Sequence, residues 1–96
     1  MTEVKEIQLD AVVSHSPGIV VGDMDGEKVM LNIEEGKYYA LDRIGSRIWE
    51  LVETPRTVED LVAVLVGEYD VEKDKCQYDV LALLNQLYAQ GLVAVG

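Results

Sequence analysis

The sequence predicts an α+β fold, in which a three-stranded antiparallel sheet is followed by three helices in a winged-helix-like outline. The first half of the chain has short β-branched and apolar runs, separated by turn sequences that contain Gly26 and Gly36. The second half has apolar residues at helical spacing, interrupted at Pro55 and Gly91. Strands and helices are therefore segregated along the chain, which is typical of α+β domains.

The predicted sheet consists of three strands, which cover residues 19–24, 27–33 and 37–41. Asp25-Gly26 has the composition of a two-residue hairpin turn that needs positive φ angles. Gly36 supplies the left-handed position of the second turn. Because both connections are short, we expect the strands to pair as an antiparallel meander. A further short strand is expected at residues 9–14, before Ser16-Pro17-Gly18.

The first two helices are marked by capping residues. Asp42 is placed to cap the first helix, whose expected inward residues are Ile44, Ile48, Leu51 and Val52, with Trp49 beside them. Thr57 is placed to cap the second helix, with Asp60 as a weak capping box. The expected inward residues of this second helix are Val58, Leu61, Val62, Leu65 and Tyr69.

The third helix is predicted from about Asp74 to Gln90. Its expected inward residues are Val80, Leu84, Leu87 and Tyr88. Gly91 provides a left-handed stop, and Leu92 is placed for the apolar contact that accompanies such an end. Residues 92–95 are expected to return as a short extended tail.

Length and composition bound the organisation of the chain. Ninety-six residues, 49 % of them hydrophobic, are enough for one small domain, which we assign to residues 1–96. Within it, residues 1–17 form an N-terminal extension or the short extra strand. The N-terminus has no apolar signal region, and no apolar run is long enough to cross a membrane. We expect a cytoplasmic monomer.

The charge balance disfavours two classes of partner. Eight basic and 18 acidic residues give a formal net charge of −10. Nucleic-acid phosphates and anionic membrane surfaces both need local positive potential, so neither is an expected partner. A winged-helix nucleic-acid-binding or regulatory domain remains the alternative function. The third helix argues against it, because it has no Lys or Arg after Lys75.

The inventory of reactive side chains argues against an enzyme. The single cysteine, Cys76, needs a nearby base to act as a nucleophile, and the single histidine is far away in sequence. We interpret Cys76 as a semi-buried thiol and His15 as a surface turn residue. The acidic pairs lie in turns and at helix starts, where carboxylates favour the helix dipole. No catalytic residue, metal site or cofactor is expected.

The remaining candidate function is binding. The third strand is last in the meander, so one edge of it has no partner within the sheet. Either Lys37 protects that edge against pairing with another strand, or the edge pairs with an incoming peptide strand. Residues 80–96 carry no charged side chain, so the third helix would form the other wall of a groove, with Leu83, Gln86 and Gln90 exposed. Tyr38 and Tyr39 point to opposite faces, and one of them is expected to pack in the core.

An ordered series of segments resembles the PqqD-like family. The segments are Val29-Met-Leu-Asn-Ile33, Gly36-Lys-Tyr-Tyr-Ala-Leu-Asp42, Ile44-Gly-Ser-Arg-Ile-Trp-Glu-Leu51, Pro55-Arg-Thr-Val-Glu-Asp-Leu61, Asp79-Val-Leu-Ala-Leu-Leu84 and Gly91-Leu92. Together they span residues 18–95, and it is their order that is specific. Their versions look most like the stand-alone proteins of bacterial lasso peptide biosynthesis.

This resemblance implies a recognition element for ribosomally made, post-translationally modified peptides. Such domains bind the leader segment of a precursor and deliver it to a leader peptidase and an ATP-dependent macrocyclase. The leader, with a Tyr-x-x-Pro-x-Leu pattern in lasso systems, lies as a fourth strand against the third strand, in a groove floored by the third helix. The leader-binding residues expected on these two walls are Lys37, Tyr38, Tyr39, Ala40, Leu41, Cys76, Asp79, Val80, Leu83 and Gln86.

Overall fold

Two small antiparallel sheets and three helices make up residues 7–96, the part of the chain that the computed structural model describes. Residues 1–6 of the expected N-terminal extension lie outside it. The elements in chain order are β1 (Val12–His15), β2 (Ile19–Met24), β3 (Glu27–Asn32), β4 (Lys37–Ala40), α1 (Arg43–Leu51), β5 (Arg56–Thr57), α2 (Val58–Glu68), α3 (Lys73–Ala89) and β6 (Val93–Val95). The α+β prediction is confirmed.

The predicted meander is the sheet β2–β3–β4, and the predicted third strand is β4. At the β2–β3 hairpin, Asp25 and Gly26 have φ angles of 55° and 84°, as a tight primed turn requires. Strand β3 ends at Asn32, one residue earlier than expected, and Ile33 is exposed in the following turn. The register pairs Met30 with Tyr39, so their side chains share the face that packs on the helices.

A second sheet, in the order β5–β1–β6, is absent from the expectations. Strand β1 begins three residues later than the extra strand expected at residues 9–14, and it does not join the meander. It pairs instead with β5 and with the C-terminal strand β6, so that Val13 faces Arg56 on one side and Val95 on the other. Strands of two and three residues are too short to show a period in the sequence, which is why this sheet was missed.

The helix ends follow the predicted capping chemistry. The Gly45 N–H donates to Asp42 Oδ1 at 2.8 Å, and the Asp60 N–H donates to Thr57 Oγ1 at 3.1 Å. Helix α3 ends at the predicted glycine: Gly91 has a φ angle of 73°. The Leu92 N–H donates to the Leu87 carbonyl oxygen at 2.9 Å, which is one bond of a Schellman motif.

The core lies between the helices and the inner faces of the two sheets. Most expected inward residues are buried, and three are not: Ile44 and Tyr88 are exposed, and Tyr69 is half-buried. Leu87 already fills the core near the end of α3, and Tyr88 lies about 100° further round the helix and faces solvent. Ile44 faces a surface groove described below. Among the described residues, no helix has the length and apolar content needed to span a bilayer.

His15 is not the surface turn residue that its neighbours Ser16-Pro17-Gly18 indicate. It lies in β1, half-buried, and its ring stacks on Trp49 with centroids 3.8 Å apart. Because a carbonyl oxygen only accepts, His15 Nε2 donates the hydrogen bond of 2.7 Å to the Trp49 carbonyl oxygen. The interaction ties β1 to α1. The sequence gives no sign of it, because the β6 partner of this strand is at the far end of the chain.

Candidate functional site: an open strand edge beside an apolar groove

Among residues 7–96, strand β4 is an edge strand of its sheet and pairs with β3 only. The Leu41 N–H donates to the Lys28 carbonyl oxygen at 2.9 Å, which fixes the phase of the β3–β4 ladder. Bonded and non-bonded positions alternate in antiparallel pairs. Tyr39 therefore turns its backbone N–H and C=O toward β3, whereas Tyr38 and Ala40 turn theirs outward. These outward groups are available to an added strand.

A buried serine closes the ladder where β4 runs into α1. The Lys28 N–H donates to Ser46 Oγ at 2.8 Å, and that hydroxyl lies 3.4 Å from the Leu41 carbonyl oxygen, to which it donates. Ser46 is only 3 % exposed. The hydroxyl stands in for the backbone bond that a longer β4 would make, and it fixes the start of α1 against the sheet.

An apolar groove of about 520 Å³ lies next to the end of β4. It is formed by the start of α1, the end of α2, the α2–α3 connection and the first half of α3. Its apolar lining is Ile44, Ile48, Leu65, Val71, Val80 and Leu83. Gly45 also lines the groove, and a Cβ atom there would lie 3.2 Å from Leu41 Cδ2. A side chain at this position would crowd Leu41, so glycine allows α1 to approach the end of β4 closely.

The structure brings four of the residues expected on α3 into this groove: Cys76, Asp79, Val80 and Leu83. Cys76 and Val80 are buried, as parts of the floor. Leu83 was expected to be exposed, but it is half-buried and packs against the core, because the groove wall at this position is continuous with the core.

The expected residues of β4 do not line the groove but lead to it. Lys37, Tyr38 and Ala40 are exposed along the edge, whereas the Leu41 side chain is buried. Tyr39 is half-buried, and its hydroxyl donates to Gln86 Oε1 of α3 at 2.7 Å. This bond joins the two predicted walls across the sheet–helix boundary, at the end of α3 away from the groove.

The rim of the groove is acidic. Four carboxylates line it, those of Asp42, Asp70, Glu72 and Asp79, with one ammonium group, that of Lys75. Lys75 Nζ lies 3.1 Å from Asp79 Oδ2, so its charge is directed at that carboxylate. Burial, and to a lesser extent the Asp79 charge, raise the pKa of the Cys76 thiol. The thiol therefore stays protonated and uncharged at neutral pH, and Cys76 contributes to the groove as a small apolar side chain.

Sequence reasoning missed the other side of the groove. Ile44 and Tyr69 were assigned to the core, and residues 70–72 of the α2–α3 connection were not expected at a binding site, although all of these residues line the groove. One available signal was Val71, an apolar residue between Asp70 and Glu72 that is exposed in the structure. An isolated apolar residue among acids in a helix connection is consistent with a wall for a partner's side chain.

The solvent face of the β2–β3–β4 sheet is a second apolar surface, which we call the outer sheet face. Paired positions put Val20, Leu31 and Tyr38 in one row across it, with exposed fractions of 47 %, 45 % and 73 %. Met24 is exposed on the same face, next to the row of Gly22, Val29 and Ala40. Contiguous exposed apolar patches of this kind mark protein interaction sites.

Comparison with known proteins identifies a family. The sequence profile of coenzyme PQQ synthesis protein D (PqqD) matches residues 27–93. Among solved structures, the chain is similar to TbiB1, in complex with the TbiA(beta) leader peptide, at 32 % identity over 83 % of this chain and 93 % of that one, with a TM-score of 0.78. A lasso peptide synthetase B1 complexed with the leader peptide is 26 % identical over 85 % and 96 % of the two chains, with a TM-score of 0.77.

A third similar structure supports the fold alone. It is the solution NMR structure of the PqqD truncation of Methylobacterium extorquens PqqCD, a RiPP recognition element. It is 20 % identical over 97 % of this chain and 99 % of that chain, with a TM-score of 0.80. No curated protein matches the sequence significantly. None of these similarities favours a nucleic-acid-binding domain.

Proposed function

This chain belongs to the PqqD family, and from that premise we propose that it is a non-catalytic recognition module for the leader segment of a ribosomally synthesised precursor, a lasso peptide precursor. The leader adds as a strand to β4 and places an apolar side chain in the groove beside it. The support comes from the relatives solved with leader peptides and from one observation in this chain: an open strand edge directly next to an apolar groove.

Strand addition suits the chemistry of the edge. An incoming strand gains backbone hydrogen bonds to the outward groups of Tyr38 and Ala40, and pockets for alternate side chains provide the specificity. The neighbouring wall on α3 contributes Leu83 and Val80, which offer apolar contact without competing charge. The residues proposed to bind the leader are Lys37, Tyr38, Tyr39, Ala40, Leu41, Cys76, Asp79, Val80, Leu83 and Gln86, to which we add Ile44 and Val71.

Amide hydrogen exchange tests this proposal at single residues. The probe is a synthetic peptide with the Tyr-x-x-Pro-x-Leu pattern, and the control peptide has the same composition in scrambled order. Adding the probe should slow exchange of the Tyr38 and Ala40 amides, whose N–H groups point outward. The Tyr39 amide, already bonded to β3, should change little. Protection along β2, the opposite edge of the sheet, without protection of β4 would contradict strand addition.

The proposed function includes delivery of the bound leader to the processing enzymes. The protein presents the bound leader in the cytoplasm to a leader peptidase and an ATP-dependent macrocyclase. The outer sheet face fits a docking surface for the peptidase, because a leader strand added to β4 extends the same sheet. An enzyme seated on Leu31 and Tyr38 would therefore also contact the leader.

A pair of variants separates docking from leader binding. Leu31→Asp places a charge at the centre of the outer sheet face, away from the groove. We expect it to bind the probe peptide with unchanged affinity and to slow leader cleavage by the peptidase. Ala63→Asp, which adds the same charge at an exposed position on α2, is the control and should leave cleavage unchanged. Equal cleavage by both variants would exclude docking on this face.

A further inference from the structure

The rim of the groove has an excess of negative charge that the described residues do not neutralise. Lys75 is paired with Asp79, and Asp42 Oδ1 accepts the capping N–H of Gly45. Asp70 and Glu72 are exposed, one on each side of Val71, and neither side-chain carboxylate forms an ion pair or a hydrogen bond in the described part of the chain. Glu72 is the N-cap residue of α3 but makes no side-chain capping bond. Two carboxylates are thus free at the mouth of an apolar groove.

The position of these carboxylates relative to β4 defines what they can contact. The chain leaves β4 through Asp42 into α1, and both Asp42 and the α2–α3 connection border the groove. A strand that follows the β4 edge therefore passes the groove near this rim. In a strand, residues two apart point to the same side and are about 6.6 Å apart. If one side chain fills the groove, the side chain two residues beyond it reaches the rim.

We propose that this groove selects leader segments in which a large apolar residue is followed or preceded, two residues away, by a lysine or arginine. The apolar side chain fills the space between Ile44, Val71 and Leu83, and the cation lies between the carboxylates of Asp70 and Glu72. This inference rests on the proposed function, because it names the leader chemistry that the same groove accepts. Its basis is charge complementarity: within the described part of the chain, the rim has four carboxylates and one ammonium group, which is already paired.

Two probe peptides test the inference. Both contain the Tyr-x-x-Pro-x-Leu pattern, and they differ at the residues two before the Tyr, two after the Tyr and two after the Leu, which are Lys in one and Gln in the other. A lysine then lies two residues from the Tyr in either strand direction, and two residues beyond the Leu. Exposed ion pairs contribute little each, so we expect the Lys peptide to bind about threefold to tenfold more tightly than the Gln peptide at low salt. This advantage should disappear at about 1 M salt, where the screening length is roughly 3 Å.

Matched protein variants assign the effect to the rim. Asp70→Asn combined with Glu72→Gln should remove the advantage of the Lys peptide and leave the affinity for the Gln peptide within about twofold. Glu27→Gln combined with Glu53→Gln changes the net charge equally at exposed positions outside the groove, and should keep the advantage. Circular dichroism melts establish that all variants are folded.

The outcomes separate the inference from the proposed function. Equal affinity of the two peptides for the wild-type protein, or an advantage that survives in the Asp70→Asn, Glu72→Gln variant, overturns the inference while leaving the leader-binding function in place. If neither peptide binds the wild-type protein more tightly than scrambled sequence does, the proposed function itself fails.

Discussion

Two adjacent leucines on α3 provide the sharpest test of where the groove ends and the core begins. Leu84 has no exposed surface, whereas Leu83 is half-buried and lines the groove. They are identical in chemistry and differ by one position on the same helix. Replacing each with alanine therefore compares a core site with a groove site at constant side-chain type.

Leu84→Ala should be the less stable of the two variants, and Leu83→Ala should be the weaker leader binder. Leu84→Ala leaves a cavity in the core and should lower the free energy of unfolding by about 2–5 kcal/mol. Leu83→Ala truncates a side chain that is already partly exposed to water, so it should lower the free energy of unfolding by only about 1 kcal/mol. For leader binding the order reverses. An apolar anchor at an interface contributes about 1–3 kcal/mol, which makes the dissociation constant of Leu83→Ala roughly tenfold to a hundredfold higher.

Urea denaturation and titration of a labelled Tyr-x-x-Pro-x-Leu peptide measure the two quantities. Because a small domain has only a few kcal/mol of stability to lose, the titrations are done at low temperature. Leu84→Val, which leaves a smaller cavity, keeps the comparison possible if Leu84→Ala is largely unfolded. If Leu83→Ala melts as early as Leu84→Ala yet binds the leader normally, then Leu83 is a core residue, and the leader uses a different wall.

Four further outcomes follow from single contacts. Ser46→Ala deprives the Lys28 N–H of its acceptor and should lower the free energy of unfolding by about 1–3 kcal/mol in urea melts, whereas substitution by Thr should cost less. Burial raises the pKa of the Cys76 thiol, so this thiol should react slowly with a thiol reagent at pH 7 and faster as the pH increases. A leader bound in the groove should slow the reaction further. If the leader accelerates the reaction, it binds elsewhere. Higher salt should slow leader association far more than it speeds dissociation, as stopped-flow measurements would record, because the net charge of −10 steers basic leaders from a distance. Arg47 makes two hydrogen bonds to Glu68 and lowers the pKa of that carboxyl. The small stabilisation by this exposed pair should therefore be present at neutral pH and be lost as pH falls through the lowered pKa. If the difference in unfolding free energy between the wild-type protein and Glu68→Gln grows on acidification, this reasoning is wrong.

The parts of the fold that the sequence predicts well depend on local chemistry. Asp42 and Thr57 cap helices because their side chains reach backbone N–H groups three residues away. Gly26 and Gly91 mark chain reversals because few other residues adopt positive φ angles cheaply. In each case the determinant and its effect are within a few residues, so a pattern in the sequence is sufficient.

The features that were missed depend on contacts between distant residues. Strand β1 is defined by partners more than 40 residues away in the chain, and the stacking of His15 on Trp49 joins segments 34 residues apart. The groove was only half predicted for the same reason. Its α3 wall was predicted from the uncharged residues 80–96 and from the family resemblance, but Ile44 and Val71 reach the groove only through the packing of α1 and the α2–α3 connection against that helix.

Edge and groove are coupled because one continuous segment, residues 37–48, contributes to both. Strand β4 supplies the unpaired backbone groups, Asp42 ends the strand by capping α1, and the first turns of α1 supply Ile44 and Ile48 to the groove. Ser46 holds this geometry by bonding both β3 and the end of β4. A chain without an expected catalytic group therefore combines two features that are each weakly selective. Under the proposed function, the strand edge would accept almost any extended backbone, and the groove would accept many apolar side chains. Because their spacing is fixed, only a peptide that satisfies both at once, with an anchor at the right distance along the strand, gains the full binding energy.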